Sequence, residues 1–206
     1  TIASTGDAVD FGNLIVATEQ LEGCSSSVRG LFGGGSAPGA TNTIQFITIS
    51  TTGNAQDFGD LITAKTFFAS CSNSTRGLFA SGFVSPANVN TIEFVTIAST
   101  GNAQDFGDLT VARSEFVAFS SATRGIAAGG SPGPSVTNVI DYITIASTGN
   151  AQDFGDVTST AKEQLSGSCS STRGVFGGGS NGVSAVNVIE YITISTQGNS
   201  VNFGTL

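Results

Sequence analysis

The chain has 206 residues, with 15 acidic and 7 basic side chains for a formal charge of −8, 28 glycines, and no histidine, methionine or tryptophan. Lack of histidine removes the commonest metal ligand and general base, and with it most familiar hydrolytic sites. The acidic balance disfavours nucleic acid and anionic membrane as partners, because both are bound through clustered Lys and Arg.

In chain order, the first landmark is GDAVDFGNL at 6–14. It returns as GNAQDFGDL at 53–61 and 101–109, as GNAQDFGDV at 149–157, and as GNSVNFGTL at 198–206. Its phenylalanines, Phe11, Phe58, Phe106, Phe154 and Phe203, recur at a period near 48, the signature of a repeat architecture whose fold is read from one unit. The units run over 14–61, 62–109, 110–157 and 158–206, and together form one domain. Residues 1–13 are left as the third and fourth strands of a partial unit.

Within the unit 110–157, the pattern predicts a strand at about 112–120, a Ser and Thr turn, and a strand at about 123–128 ending on Gly129 and Gly130. The missing Cβ of such a glycine pair lets neighbouring backbones approach closely. After the loop SPGPSVT comes the most apolar strand, Ile140 to Ile145, expected to be buried on both sides except where Asp141 points out. A hairpin turn at Thr148, Gly149 and Asn150 leads to a fourth strand around Phe154. No segment sustains a 3.6-residue period with caps, so the chain reads as all-β.

Cys24 and Cys71 share a repeat position that the third unit fills with Phe119, while Cys169 is shifted by one. A site accepting Cys or Phe reads as a core position rather than a redox, metal or disulfide site.

Four strands per 48 residues, a glycine pair closing the second and an aromatic on the fourth describe a blade of a β-propeller. The unit resembles a kelch repeat in Gly129 and Gly130, in Asp141 and Tyr142, in Phe154 where kelch usually has Trp, and in Ala112 with Arg113 opening the blade. The other units carry Ala17 and Thr18, Ala64 and Lys65, and Ala161 and Lys162 at that opening. The run ITIASTGNAQDFGDL is also similar to tandem repeats in virion proteins of aquatic bacteriophages. These resemblances imply a propeller of four complete blades plus a partial one, in an extracellular or virion setting.

Two recurring polar sets are the candidate sites. Asp57, Asp60, Asp105, Asp108, Asp153 and Asp156 recur with an Asn in each unit, and oxygen ligands at such spacing suit calcium. The competing reading makes them structural, satisfying backbone N–H groups at turns and blade edges. Otherwise no cofactor is expected. Arg29, Arg76, Arg124 and Arg173 precede the glycine of every second strand and need partners: Glu93, Asp141 and Glu190 on the third strand are one possibility, with Gln45 at that position in the first unit, the repeating Asp is another, and binding a sugar or carboxylate is the alternative role. Repetition without any unit-specific reactive residue points away from an enzyme. It points to a structural or assembly protein that self-associates through strand edges, or alternatively to a lectin-like propeller binding a glycan or protein through the loops Ser36 to Thr41, Ser81 to Asn88, Ser131 to Thr137 and Ser180 to Val186.

Overall fold

The computed structural model describes residues 5–206. Among them the secondary structure is β only, arranged as four four-stranded antiparallel sheets. The first holds β1 (Glu22–Ser25), β2 (Arg29–Gly33), β3 (Thr43–Thr48) and β4 (Gln56–Asp60). The second holds β5 (Ala69–Ser72), β6 (Arg76–Val84), β7 (Ala87–Thr96) and β8 (Gln104–Asp108). The third holds β9 (Val117–Ser120), β10 (Arg124–Ala128), β11 (Val139–Thr144) and β12 (Gln152–Asp156). The fourth holds β13 (Ser166–Cys169), β14 (Arg173–Gly177), β15 (Val188–Thr193) and β16 (Val201–Thr205). In every sheet spatial order follows chain order.

Local chemistry explains the joints. Between the first two strands of a sheet, Ser26, Asn73, Ser121 and Ser170 each accept hydrogen bonds from the backbone N–H groups two and three residues on, closing the turn. After the second strand, Gly34, Gly129 and Gly178 adopt φ of 59°, 70° and 69°, and Ser81 adopts 57° at the same place. The Ser81 hydroxyl lies within hydrogen-bond reach of the backbone oxygens of Val89 and Arg113 and donates its one proton between them, which offsets the left-handed conformation. On the fourth strand a bulge places two residues opposite one: Ile92 faces Gly107 and Glu93 faces Asp105, so Phe106 is the extra residue and turns into the core.

The sheets pack face to face in a propeller-like succession. The innermost strands β1, β5, β9 and β13 touch in that order. Three apolar clusters fill the three spaces between successive sheets, around Phe58 and Ile97, around Phe106 and Ile145, and around Phe154 and Ile194. Among the described residues no hydrogen bond joins the fourth sheet to the first.

Two details differ from the sequence reading. The turn after the third strand lies at Ile145 to Ser147, closed by Ser147 N–H on the Thr144 oxygen, and Gly149 and Asn150 instead reach across to the preceding sheet. The third-strand acid points inward, because a cation from the blade opening waits beside it. Of the partial unit, residues 1–4 lie outside the described residues, 5–10 are exposed, and 11–13 form a short strap without strand pairing of its own, docked through Phe11 and Asn13 on Gly53, Asn54 and Ala55 of the first unit.

Candidate functional site

Each of the last three sheets encloses an ion pair. Lys65 Nζ lies 2.8 Å from Glu93, Arg113 Nη2 lies 3.0 Å from Asp141, and Lys162 Nζ lies 2.7 Å from Glu190. All six side chains are at most 1% exposed. The carboxylates also accept from the chain entering their blade: from Ile62 N–H at 2.7 Å, from the Thr110 hydroxyl at 2.6 Å and from the Ser159 hydroxyl at 2.7 Å. The first sheet makes the neutral version, with Gln45 Oε1 accepting from Ile15 N–H at 2.6 Å. These contacts pin the chain that crosses from one sheet to the next.

Burial pushes the Lys65 ammonium and the Arg113 guanidinium below their ordinary values, and the facing carboxylates pull them back up. Burial alone would raise the Glu190 carboxyl, but hydrogen bonds from Lys162, Ser200 and Ser159 outweigh it and hold that group at about 2. Glu22, on an innermost strand, is governed by burial instead. It sits at about 7 despite a weak bond from the Ser70 hydroxyl.

The recurring arginines are therefore not the partners of these acids. Arg29, Arg76, Arg124 and Arg173 stack over Phe46, Phe94, Tyr142 and Tyr191, with guanidinium carbons 4.4–4.7 Å from the ring centroids. Each of these rings also makes a T-shaped contact with Phe58, Phe106, Phe154 or Phe203. The first three arginines then donate to the backbone oxygens of Ile97, Ile145 and Ile194 in the following sheet, at 3.0, 2.8 and 3.0 Å. They bridge sheets through a ring and a carbonyl, so their alternation on the second strand places them away from the buried acid.

The repeated Asn and Asp form a second bridge. Asn54, Asn102, Asn150 and Asn199 accept through their side-chain oxygens from the N–H of Asn13, Asp60, Asp108 and Asp156 in the preceding unit. The flanking N–H groups of Gly101 and Ala103 donate to Phe58 and Asp60 oxygens, and the same pair recurs at each joint, including Gly53 and Ala55 on Phe11 and Asn13. Asp60, Asp108 and Asp156 thus act through their backbones, while the Asp57, Asp105 and Asp153 side chains face solvent. Among the described residues no three His, Cys, Asp or Glu groups gather as a metal site.

Glycine makes this joint possible. A Cβ on Gly59, Gly107 or Gly155 would stand 2.5–2.6 Å from the backbone of Gly101, Gly149 or Gly198 in the next sheet. On the innermost strands, Cys24 packs over Gly77, Cys71 over Gly125 and Phe119 over Gly174, again across a joint. Burial pushes the Cys71 thiol up to about 12. Cys169 departs from the core reading: it is exposed, and its thiol donates to the Ser120 oxygen, the place where Ser72 and Ser120 bridge in the earlier sheets.

The loop-bearing face carries a shallow groove lined by Phe83, Pro86, Asn88, Glu115, Ser131 and Glu163. Next to it Gln20, Phe67, Glu115 and Gln164 occupy one repeat position with φ of 54–58°, linked by Glu115 N–H to the Phe67 oxygen and Gln164 N–H to the Glu115 oxygen. Three of these positions carry a polar side chain and one a phenylalanine, on a backbone that does not change.

No protein-family model matches the chain, and no curated protein matches it significantly.

The residues missed by sequence reasoning are Lys65, Arg113 and Lys162 as partners of the third-strand acids. A signal was present. The opening and third-strand residues vary together from unit to unit: Thr18 with Gln45, Lys65 with Glu93, Arg113 with Asp141, Lys162 with Glu190. Neutral goes with neutral, and the longest cation with the shortest acid.

Proposed function

We propose that the chain is a non-enzymatic structural protein, a kelch-like array whose task is assembly, as a component of a virion or extracellular fibre. The observation that carries this reading is the use of the repeated polar residues. The buried ion pairs, the arginine bridges and the asparagine clamps all go into holding sheets in order, and the same set serves every joint. An enzyme needs a group with a unique environment at an accessible place; here Lys65, Arg113 and Glu190 belong to sealed pairs repeated from sheet to sheet, and the raised Glu22 has the Ser70 hydroxyl beside it and, among the described residues, no second ionised group paired with it. Light scattering for absolute mass, with electron microscopy of the same sample, tests the reading. Objects built from several 20.6 kDa chains support it, and a monodisperse single chain at every concentration contradicts it.

The second reading, a propeller that binds a glycan or protein on its loop face, is favoured by the groove beside Glu115 and Glu163. The Asn88 side-chain oxygen at that groove has no hydrogen-bond partner among the described residues. Binding on a glycan array that is lost in Asn88→Ala would support it, and a silent array would count against it.

A further inference from the structure

The joint between sheets occurs three times, and its two halves stand uncovered on the first and the fourth sheet. Phe203 occupies the place of Phe58, Phe106 and Phe154, which are 2–3% exposed, yet it is 57% exposed. Ile49 occupies the place of Ile97, Ile145 and Ile194, which are at most 1% exposed, yet it is 42% exposed. A Cβ on Gly204 would meet nothing within 4 Å, whereas its three counterparts would strike the next sheet. Neighbouring sheets cover these positions everywhere else. Large apolar side chains gain stability when taken out of water, so the two faces have a strong reason to meet.

They are also complementary in detail. Among the described residues, the Arg173 guanidinium on the fourth sheet stacks on Tyr191 but reaches no carbonyl, and Gly179 N–H finds no counterpart of the acceptors that Lys65, Arg113 and Lys162 supply to Gly35, Gly82 and Gly130. On the first sheet the matching acceptors are the backbone oxygens of Ile49 and Thr18. Gly30, the counterpart of Gly77, Gly125 and Gly174, has only its own sheet's Ile47 beside it, leaving room for Ser168.

We propose that the far face of the fourth sheet docks on the first sheet of a second copy of this chain, reproducing the internal joint between molecules. This rests on the assembly reading above and names its interface. Such a head-to-tail contact is heterologous, so it closes into rings or runs on as filaments. One feature regulates it. The slot on the first sheet that β16 would enter, formed by Gly53 N–H, Ala55 N–H and Asn54 Oδ1, is already filled by the strap residues Phe11 and Asn13. The strap repeats the motif of β16, Phe-Gly followed by Leu two residues on, so the chain carries an internal competitor for its own assembly site.

Two substitutions in the full chain separate the partners. Gly12→Val puts a side chain against the backbone of Gly53, ejecting the strap and freeing the slot. Gly204→Val adds no overlap in the isolated chain, where its cost is the strain of a side chain at a φ of 157°, but it blocks β16 from that slot. Sedimentation velocity over a concentration series is expected to show Gly12→Val associating about tenfold more tightly than the native chain, the equivalent of about one net hydrogen bond. Adding Gly204→Val should abolish association in either background, and Arg173→Ala should weaken it several-fold. The interface is overturned, with the assembly reading intact, if particles form and Gly204→Val forms them equally well. Both are overturned if the native chain and Gly12→Val stay monomeric at every concentration reached.

Discussion

Lys65 and Glu93 are both sealed from water, and desolvating two charges costs several kcal/mol each before their attraction repays it. Removing one partner therefore hurts more than replacing both. Lys65→Met is expected to destabilise the chain by about 3–5 kcal/mol. The double change Lys65→Thr with Glu93→Gln copies the uncharged residues that the first unit carries at these positions, Thr18 and Gln45, and should recover part of that loss by removing the unpaired buried carboxylate; urea unfolding of the two variants checks it. Glu22 makes a pH prediction of known sign. Its folded value of about 7 lies above the ordinary 4.5, so the folded chain holds the proton longer than the unfolded one. Stability contributed there is full below 4.5, falls as pH rises from 4.5 to 7, and stays reduced above that. Glu22→Gln is expected to flatten this decline, raising stability at pH 8 by roughly 1–3 kcal/mol, read from melts across pH. The recurring arginines show where residue-level reading from sequence stops. Their need for a partner was legible, but which side of the second strand they occupy depends on register. Aromatic rings and a carbonyl of the next sheet met that need, leaving the acids to Lys65, Arg113 and Lys162.

At the level of the strand, the period, the glycine pairs and the run of β-branched residues were enough to mark four strands per unit. The start of the first strand was misjudged: β9 begins at Val117, because Ala112 and Arg113 belong to the crossing segment that the buried ion pair anchors. The Thr-Gly-Asn run was legible as special backbone, yet its task was not, since a hairpin and a clamp on a neighbouring sheet call for the same small residues. The fourth strand carries the clearest test. Gly107 and Gly204 hold equivalent positions, one facing the Gly149 backbone at 2.5 Å and the other facing nothing within 4 Å. Both substitutions to Val strain a positive-φ backbone, at 141° and 157°, but only Gly107→Val also overlaps a neighbouring sheet, so it is expected to cost about 3 kcal/mol more than Gly204→Val. Equal effects in thermal melts would mean that the joint is not held by this contact.

Across the whole molecule, one joint is used again and again, and three apolar layers stand between four sheets. A succession of this kind is stabilised by each sheet and by its neighbours, so an uncovered end is its weakest point and its natural site of growth. The net charge of −8 opposes growth at low salt through long-range repulsion. Association should consequently tighten between about 10 and 150 mM salt, where the screening length shrinks from roughly 30 to 8 Å. This scale was legible in outline only. The motif at 6–14 announced a left-over partial unit, but that it lies across the slot β16 would fill follows from the hydrogen bonds of Phe11 and Asn13, which no spacing encodes. The most direct test is amide hydrogen exchange at rising protein concentration, followed at Gly179 and Thr205. If the far face of the fourth sheet is a working joint, both amides gain protection as concentration rises, and neither does in Gly204→Val. Exchange at these two amides that stays the same at every concentration in the native chain would contradict the account.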